Sequence, residues 1–226
     1  RYDFGANLLG RLRVQLRADP GSVVRVRYEE AAESADALPE SWAGAPSCED
    51  LYVAAGDEAE AWFQSVFALH GFRYVEVSGA LDPDAVTDIT AFEITTAAPD
   101  AGRFDFDDPL LNQLHESLQR TLRHTVISHP TAGFGVRRRL GLTLDGRAQL
   151  GVAACLLDAA PAYRSWVRDL VDAQQPDGTF PPVVPPLLGR GATLGQQAGP
   201  GGAAALLVCA WSLYRRYGDR RTLEMS

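Results

Sequence analysis

The sequence predicts a chain of two parts, an antiparallel β-sandwich followed by packed α-helices. Two observations carry this. Through residues 1 to about 98, apolar and polar residues alternate, the period of strands with one buried face. From about residue 99, apolar residues recur every three or four positions, the period of amphipathic helices. No strand pattern separates the helical segments, which argues against an alternating α/β sheet. The change of period therefore sets two domains, 1–98 and 99–226.

The first strand is "GRLRVQLRA", where Leu12, Val14 and Leu16 oppose Arg11, Arg13, Gln15 and Arg17. In "VVRVRYEE", Val24, Val26 and Tyr28 oppose Arg25 and Arg27, and the intervening "ADPGS" is a turn signal, so the two form a hairpin. Residues 31–50 are rich in Ala, Ser, Pro and acids and are expected to be a long surface loop. "EAWFQSVFALHGFRYVEVSG" supplies two further strands and "DAVTDITAFEITT" one or two more. The first helix opens at "DDPLLNQLHESLQRTLRHT", with Asp108 as N-cap and Pro109 at the first helical position. Its apolar face is Leu110, Leu111, Leu114, Leu118 and Leu122. A second helix is expected within 147–158. A third, in "APAYRSWVRDLVDAQQPDG", has Tyr163, Trp166, Val167, Leu170 and Val171 on one face and "PDG" at its end. The last lies in "GGAAALLVCAWSLYRRYG". Long Gly- and Pro-rich loops join the helices, the usual place for a binding site.

A net charge of −8 argues against a general nucleic-acid binder, and no apolar run approaches the roughly 20 residues that cross a bilayer. Nucleic acid and membrane are thus not expected partners. All 21 basic residues are arginine, so no lysine is present to form a Schiff base. Cys48, Cys155 and Cys209 are far apart, and neither they nor His70, His115, His124 and His129 show metal-ligand spacing. No metal or other cofactor is implied. Cys155 and Cys209 sit among apolar neighbours and read as buried hydrophobes. The chain lacks an initial Met and stops shortly after a helix, which suggests a piece of something longer.

Five segments occur in a telling order: "YDFGANLLGRLRVQL", "FALHGFRYVEVSG", "DPLLNQLHESLQRT", "RSWVRDLVDAQQPDGTFP" and "YRRYGDRRTLE". Together they resemble the bacterial α-L-rhamnosidases, inverting glycoside hydrolases. The resemblance runs through most of the chain. It implies a β-sandwich followed by an (α/α)6 barrel, of which this chain would carry the first helices. The substrates it implies are rhamnosylated carbohydrates or glycosides, and the family's general base would lie beyond Ser226.

The same resemblance bears on "HPTAGFGVRRRLGLTLDGRAQ", residues 129–149. The family pattern here is Pro-Thr-Asp, a short loop, Glu-Arg-Leu-Gly-Trp, then Asp. Thr131, Arg139, Leu140 and Gly141 match it. The first Asp falls at Ala132, the general-acid Glu at Arg138 and the Trp at Leu142. The final Asp falls at Asp145, or at Arg147 if the register is set on Ala148-Gln149. A second family segment, Gly-Trp-Gly-Asp, aligns with "GGAA", placing its Trp at Gly202 and its Asp at Ala204.

Inverting hydrolysis needs two carboxyl groups about 6.5–9.5 Å apart. A guanidinium keeps its proton until about pH 12 or above, so Arg138 cannot be the acid. Asp145 is the surviving catalytic candidate, with a helix N-cap role favoured over contact with a sugar hydroxyl. Arg139, His129 and Asp177 are candidate substrate contacts. Each also has a plainer reading: Arg139 a loop brace, His129 a hydrogen-bonded structural residue, Asp177 a turn residue. Arg137, Arg138 and Arg139 could serve an anion, though three adjacent residues cannot all face one ligand. The chain alone is therefore expected to be a doubtful enzyme, the alternative being a non-catalytic carbohydrate-binding or interaction homologue. Helix faces left uncovered by a partial barrel predict self-association.

Overall fold

The computed structural model describes residues 1–31, 48–55, 61–79, 81–82, 84–96, 98–131, 133, 140–186 and 198–226. The chain divides into two compact units, one of Arg1–Ile94 and one beginning at Thr95.

The first unit is an antiparallel sheet of six strands: β1 (Tyr2–Leu16), β2 (Val23–Glu29), β3 (Glu49–Val53), β4 (Ala61–Gln64), β5 (His70–Gly79) and β6 (Val86–Glu93). The hairpin expected of the first two strands is not formed. β2 pairs with β3 and β5 instead, and β5 lies between β2 and β1. β1 is long enough to serve three partners. β6 occupies one of its edges over Gly10–Leu16, so β4 and β5 share the other, β5 along Tyr2–Gly10 and β4 along Arg13–Leu16. The expected alternation holds: Leu12, Val14 and Leu16 are fully buried and pack with Val24, Val26, Tyr28, Phe72 and Val75. Burial of each large apolar side chain stabilises by about 1.5–3 kcal/mol. Among the described residues the strands form one hydrogen-bonded, curled antiparallel sheet, consistent with the expected sandwich. β3 begins inside the stretch expected to be loop, because its place is set by pairing to β2 rather than by an alternating pattern of its own.

The second unit is helical. It comprises α1 (Pro109–Thr125), α2 (Thr143–Leu156), α3 (Ala160–Ala173), α4 (Pro200–Ala203), α5 (Ala205–Tyr217) and α6 (Arg220–Met225), with the short strands β7 (Val126–Ile127) and β8 (His129–Pro130) after α1. Asp108 caps α1 as expected, accepting from the Leu110 amide, with Pro109 next. The core is centred on Leu150, Tyr163, Trp166, Leu170, Cys209 and Leu213. Trp166 is thus a packing residue, as its helical spacing implies. Four details depart from the sequence reading. The last predicted helix is broken at Ala204 into α4 and α5. α3 ends at Ala173, ahead of "PDG". Leu110, Leu114 and Leu118 are exposed, and only Leu122 of that face is buried. Cys155 is exposed rather than buried, whereas Cys209 is buried and desolvation pushes its thiol up to about 12.

Candidate functional site

Three segments singled out in the sequence meet at the N-terminal end of α2. The first is the strand β8 and Thr131. Ser128, with a φ of 59°, turns the chain between β7 and β8, and Ile127 pairs with His129. Thr131 is buried; its amide and hydroxyl both donate to the Thr125 carbonyl, at 2.8 and 3.0 Å. The Gln149 side-chain amide then donates to the Thr131 carbonyl at 2.7 Å, tying α2 to this segment.

The second segment is Gly141–Thr143, which a distant stretch pins in place. The Val184 amide donates to the Gly141 carbonyl at 2.8 Å and the Thr143 amide to the Pro182 carbonyl at 3.0 Å. The Trp166 indole donates to the Val184 carbonyl at 2.9 Å, fastening this stretch to the core. α2 accordingly starts at Thr143, with Leu142 at the cap position and no side-chain cap. Asp145 is not the N-cap. It is the third residue of the helix, because the Pro182 carbonyl already satisfies the first amide. A carboxylate in a first turn is favoured by the helix dipole. Asp145 has no hydrogen-bond or ion-pair partner among the described residues. It lies four residues before Gln149, hence on the same face of α2, the face that reaches Thr131.

The third segment is the start of α4. A Cβ on Gly201 would stand 2.9 Å from Leu144 Cδ1 and 3.9 Å from Arg147 Nη2, and one on Gly202 only 2.4 Å from Thr143 Oγ1. Position 202 thus has no room for a side chain in this packing, let alone an indole. Arg147 lies on the α4–α5 side of α2, where its charge is felt at Cys209. The two alternative registers of the final Asp therefore point to different surroundings, Asp145 towards Thr131 and Arg147 towards α4 and α5.

His129 is half-buried, and its Nδ1 lies 3.2 Å from the Ser128 hydroxyl. Burial lowers the His129 pKa and the Asp169 charge opposes that shift. Asp169, on α3, is in turn raised by burial, with the His129 charge opposing and Asp172 reinforcing. Asp169 and Gln149 were not signalled as site residues by the sequence. Asp169 sits at ordinary helical spacing, and the clue to Gln149 was only its place after Ala148 in the motif. Asp177 is exposed in the turn after α3, where its carboxylate accepts from the Thr179 amide at 3.0 Å and hydroxyl at 2.7 Å. These bonds hold its pKa below the usual carboxylate range. Ala132, Arg137, Arg138 and Arg139 lie outside the described residues. Among the described residues, no group of three or more His, Cys, Asp or Glu side chains is placed to hold a metal.

Residues 99–226 match the bacterial alpha-L-rhamnosidase six-hairpin glycosidase domain, and residues 2–95 the bacterial alpha-L-rhamnosidase concanavalin-like domain. The chain belongs to the bacterial α-L-rhamnosidase family. It is 33% identical over 221 residues to an α-L-rhamnosidase of Streptomyces avermitilis, covering 98% of this chain and 21% of that protein. An α-L-rhamnosidase of Alteromonas sp. is 29% identical over 227 residues, 100% of this chain and 24% of its own length. Among solved structures, the α-L-rhamnosidase from Dictyoglumus thermophilum is similar with a TM-score of 0.83 at 28% identity, over 99% of this chain and 25% of that one. The S. avermitilis α-L-rhamnosidase complexed with L-rhamnose is similar with a TM-score of 0.83 at 31% identity, over 98% of this chain and 21% of that one. The chain thus spans a quarter or less of the length of these rhamnosidases.

Proposed function

We propose that the chain is a rhamnoside-recognising member of its family that does not hydrolyse rhamnosides by itself. The observation that carries this reading is Arg138 at the family's general-acid position. A guanidinium has no proton to give near neutral pH, and its charge opposes an oxocarbenium-like transition state beside it. The rest of the motif lost its acid at Ala132, and no Glu lies between Glu116 and Glu224 to replace the missing one. In this reading residues 1–98 are the sandwich domain and residues 99–226 the first hairpins of an (α/α)6 barrel.

Recognition falls to the N-terminal end of α2. Asp145 accepts a sugar hydroxyl there, aided by the helix dipole, and His129 offers a ring nitrogen at the same segment. Asp177 is the weakest contact, since its carboxylate is already used by Thr179.

The test combines turnover and binding. Release of nitrophenol from an aryl α-L-rhamnoside is expected to stay at the buffer rate, for the wild type and for Asp145→Asn alike. L-Rhamnose is expected to raise the melting temperature of the wild type, with the shift reduced in Asp145→Asn. Release that vanishes in Asp145→Asn would instead make Asp145 a catalytic carboxylate. Absence of both release and a melting shift, in a folded protein, would remove rhamnoside recognition.

A further inference from the structure

The sheet of the first unit carries a cationic and aromatic feature on its outer face. Arg13, on β1, lies between Trp62 of β4 and Phe92 of β6, its guanidinium carbon 4.6 and 5.0 Å from the two ring centroids. The register explains the stack. Gln15 is opposite Trp62, Arg13 opposite Gln64 and Thr90, and Arg11 opposite Phe92, so all these side chains share one face. That face is opposite the one that buries Leu12, Val14 and Leu16. Trp62 is 48% exposed and Phe92 37% exposed, although both are large and apolar.

The arginines on this face differ from others in the unit. Arg1, Arg25 and Arg73 each pair with a carboxylate, of Glu29, Glu49 and Asp3 respectively. Arg11 and Arg13 have no carboxylate partner among the described residues, and the Nε of each is buried without an acceptor. Asp88, opposite Gln15, is a carboxylate on the same face and accepts from the Thr90 hydroxyl, but it pairs with neither arginine, so among the described residues two unpaired arginines two residues apart outnumber it there. Stacking on the two rings stabilises the guanidinium without consuming its donors. A carboxylate matches that fork with two parallel hydrogen bonds.

We propose that this face binds a glycan bearing carboxylates, a uronic-acid polysaccharide. Arg13 takes a carboxylate in the bidentate mode, Arg11 takes a neighbouring one, and the exposed faces of Trp62 and Phe92 receive the apolar face of the sugar rings. The paired aromatic rings favour a glycan over an acidic protein segment, which would need only the charges. The inference concerns a different unit from the rhamnoside site and stands independently of it.

Affinity electrophoresis in gels containing polygalacturonate tests it, with fully methyl-esterified pectin and poly-L-glutamate as comparison gels. The wild type is expected to be retarded by polygalacturonate well above either comparison. Arg13→Gln is expected to weaken retardation about tenfold or more, the loss of a charged bidentate contact. Trp62→Ala should weaken it similarly and Trp62→Phe should keep most of it, which separates a lost ring from a damaged fold. Arg25→Gln, elsewhere on the sheet, should leave it unchanged. No retardation by polygalacturonate, retardation indifferent to Arg13→Gln, or equal retardation by methyl-esterified pectin overturns the proposal. Equal retardation by poly-L-glutamate also overturns it, in favour of an acidic protein partner. The L-rhamnose melting shift is read separately, so failure here leaves the rhamnoside reading untouched.

Discussion

Gly146 shows how closely single residues are fitted in the helical unit. A Cβ there would lie 2.5 Å from the indole of Trp166. Trp166 cannot easily yield, being fully buried and bonded through Nε1 to the Val184 carbonyl. The neighbouring Tyr163 hydroxyl donates to the Gly146 carbonyl at 3.1 Å, fixing the backbone from the other side. Gly146→Ala would gain about 1 kcal/mol of helix propensity. Overpacking costs about 1–3 kcal/mol and acts on a site with no slack. The expected result is a lower midpoint in thermal or urea denaturation. An unchanged or higher midpoint would mean the indole moves freely.

At the scale of elements, β3 owes its place on the sheet in part to one partly buried carboxylate. Asp50 accepts from Tyr28 of β2 at 2.8 Å and lies 3.0 Å from Nε2 of His70 on β5. The Tyr28 and His70 rings stack at 3.9 Å. Burial alone would raise the Asp50 pKa, but hydrogen bonds from His70 and Tyr28 outweigh it and lower the value. A carboxyl with a depressed folded pKa stabilises in full above its unfolded value, about 3.9, and loses that contribution as pH falls through the folded value. Asp50→Asn is expected to cost about 2 kcal/mol near neutral pH, from hydrogen bonds to a charged acceptor. The gap between the two melting temperatures should narrow on acidification below about pH 4. A gap independent of pH would show that Asp50 acts through packing alone.

For the whole molecule, the uncovered apolar surface is the main physical consequence. Leu110, Leu114 and Leu118 line an exposed face of α1, and Leu207, Val208 and Trp211 one of α5. Surface of this kind drives association when it is contiguous. Self-association is therefore expected in sedimentation velocity, growing with concentration. Leu114→Glu should reduce it without lowering the melting temperature, since residue 114 is exposed. A monomer at all concentrations would rule out this face as an association surface.

The sequence by itself determined the family and the order of strands before helices. These depend on local periodicity and on motif order, which the chain carries without folding. The alternation of Leu12, Val14 and Leu16 named the sheet core for the same reason, and the helical spacing of Trp166 named the other. Tertiary structure decided what depends on distant partners. Asp145 became an in-helix carboxylate because Pro182 reached Thr143 first. β3 became a strand because β2 offered an edge, and Asp50 found His70 only through the pairing of β5 beside β2. Arg13 met Trp62 and Phe92 because β4 and β6 flank one long strand at a particular register. Register and packing are agreements between segments far apart in the chain, so no local pattern could announce them.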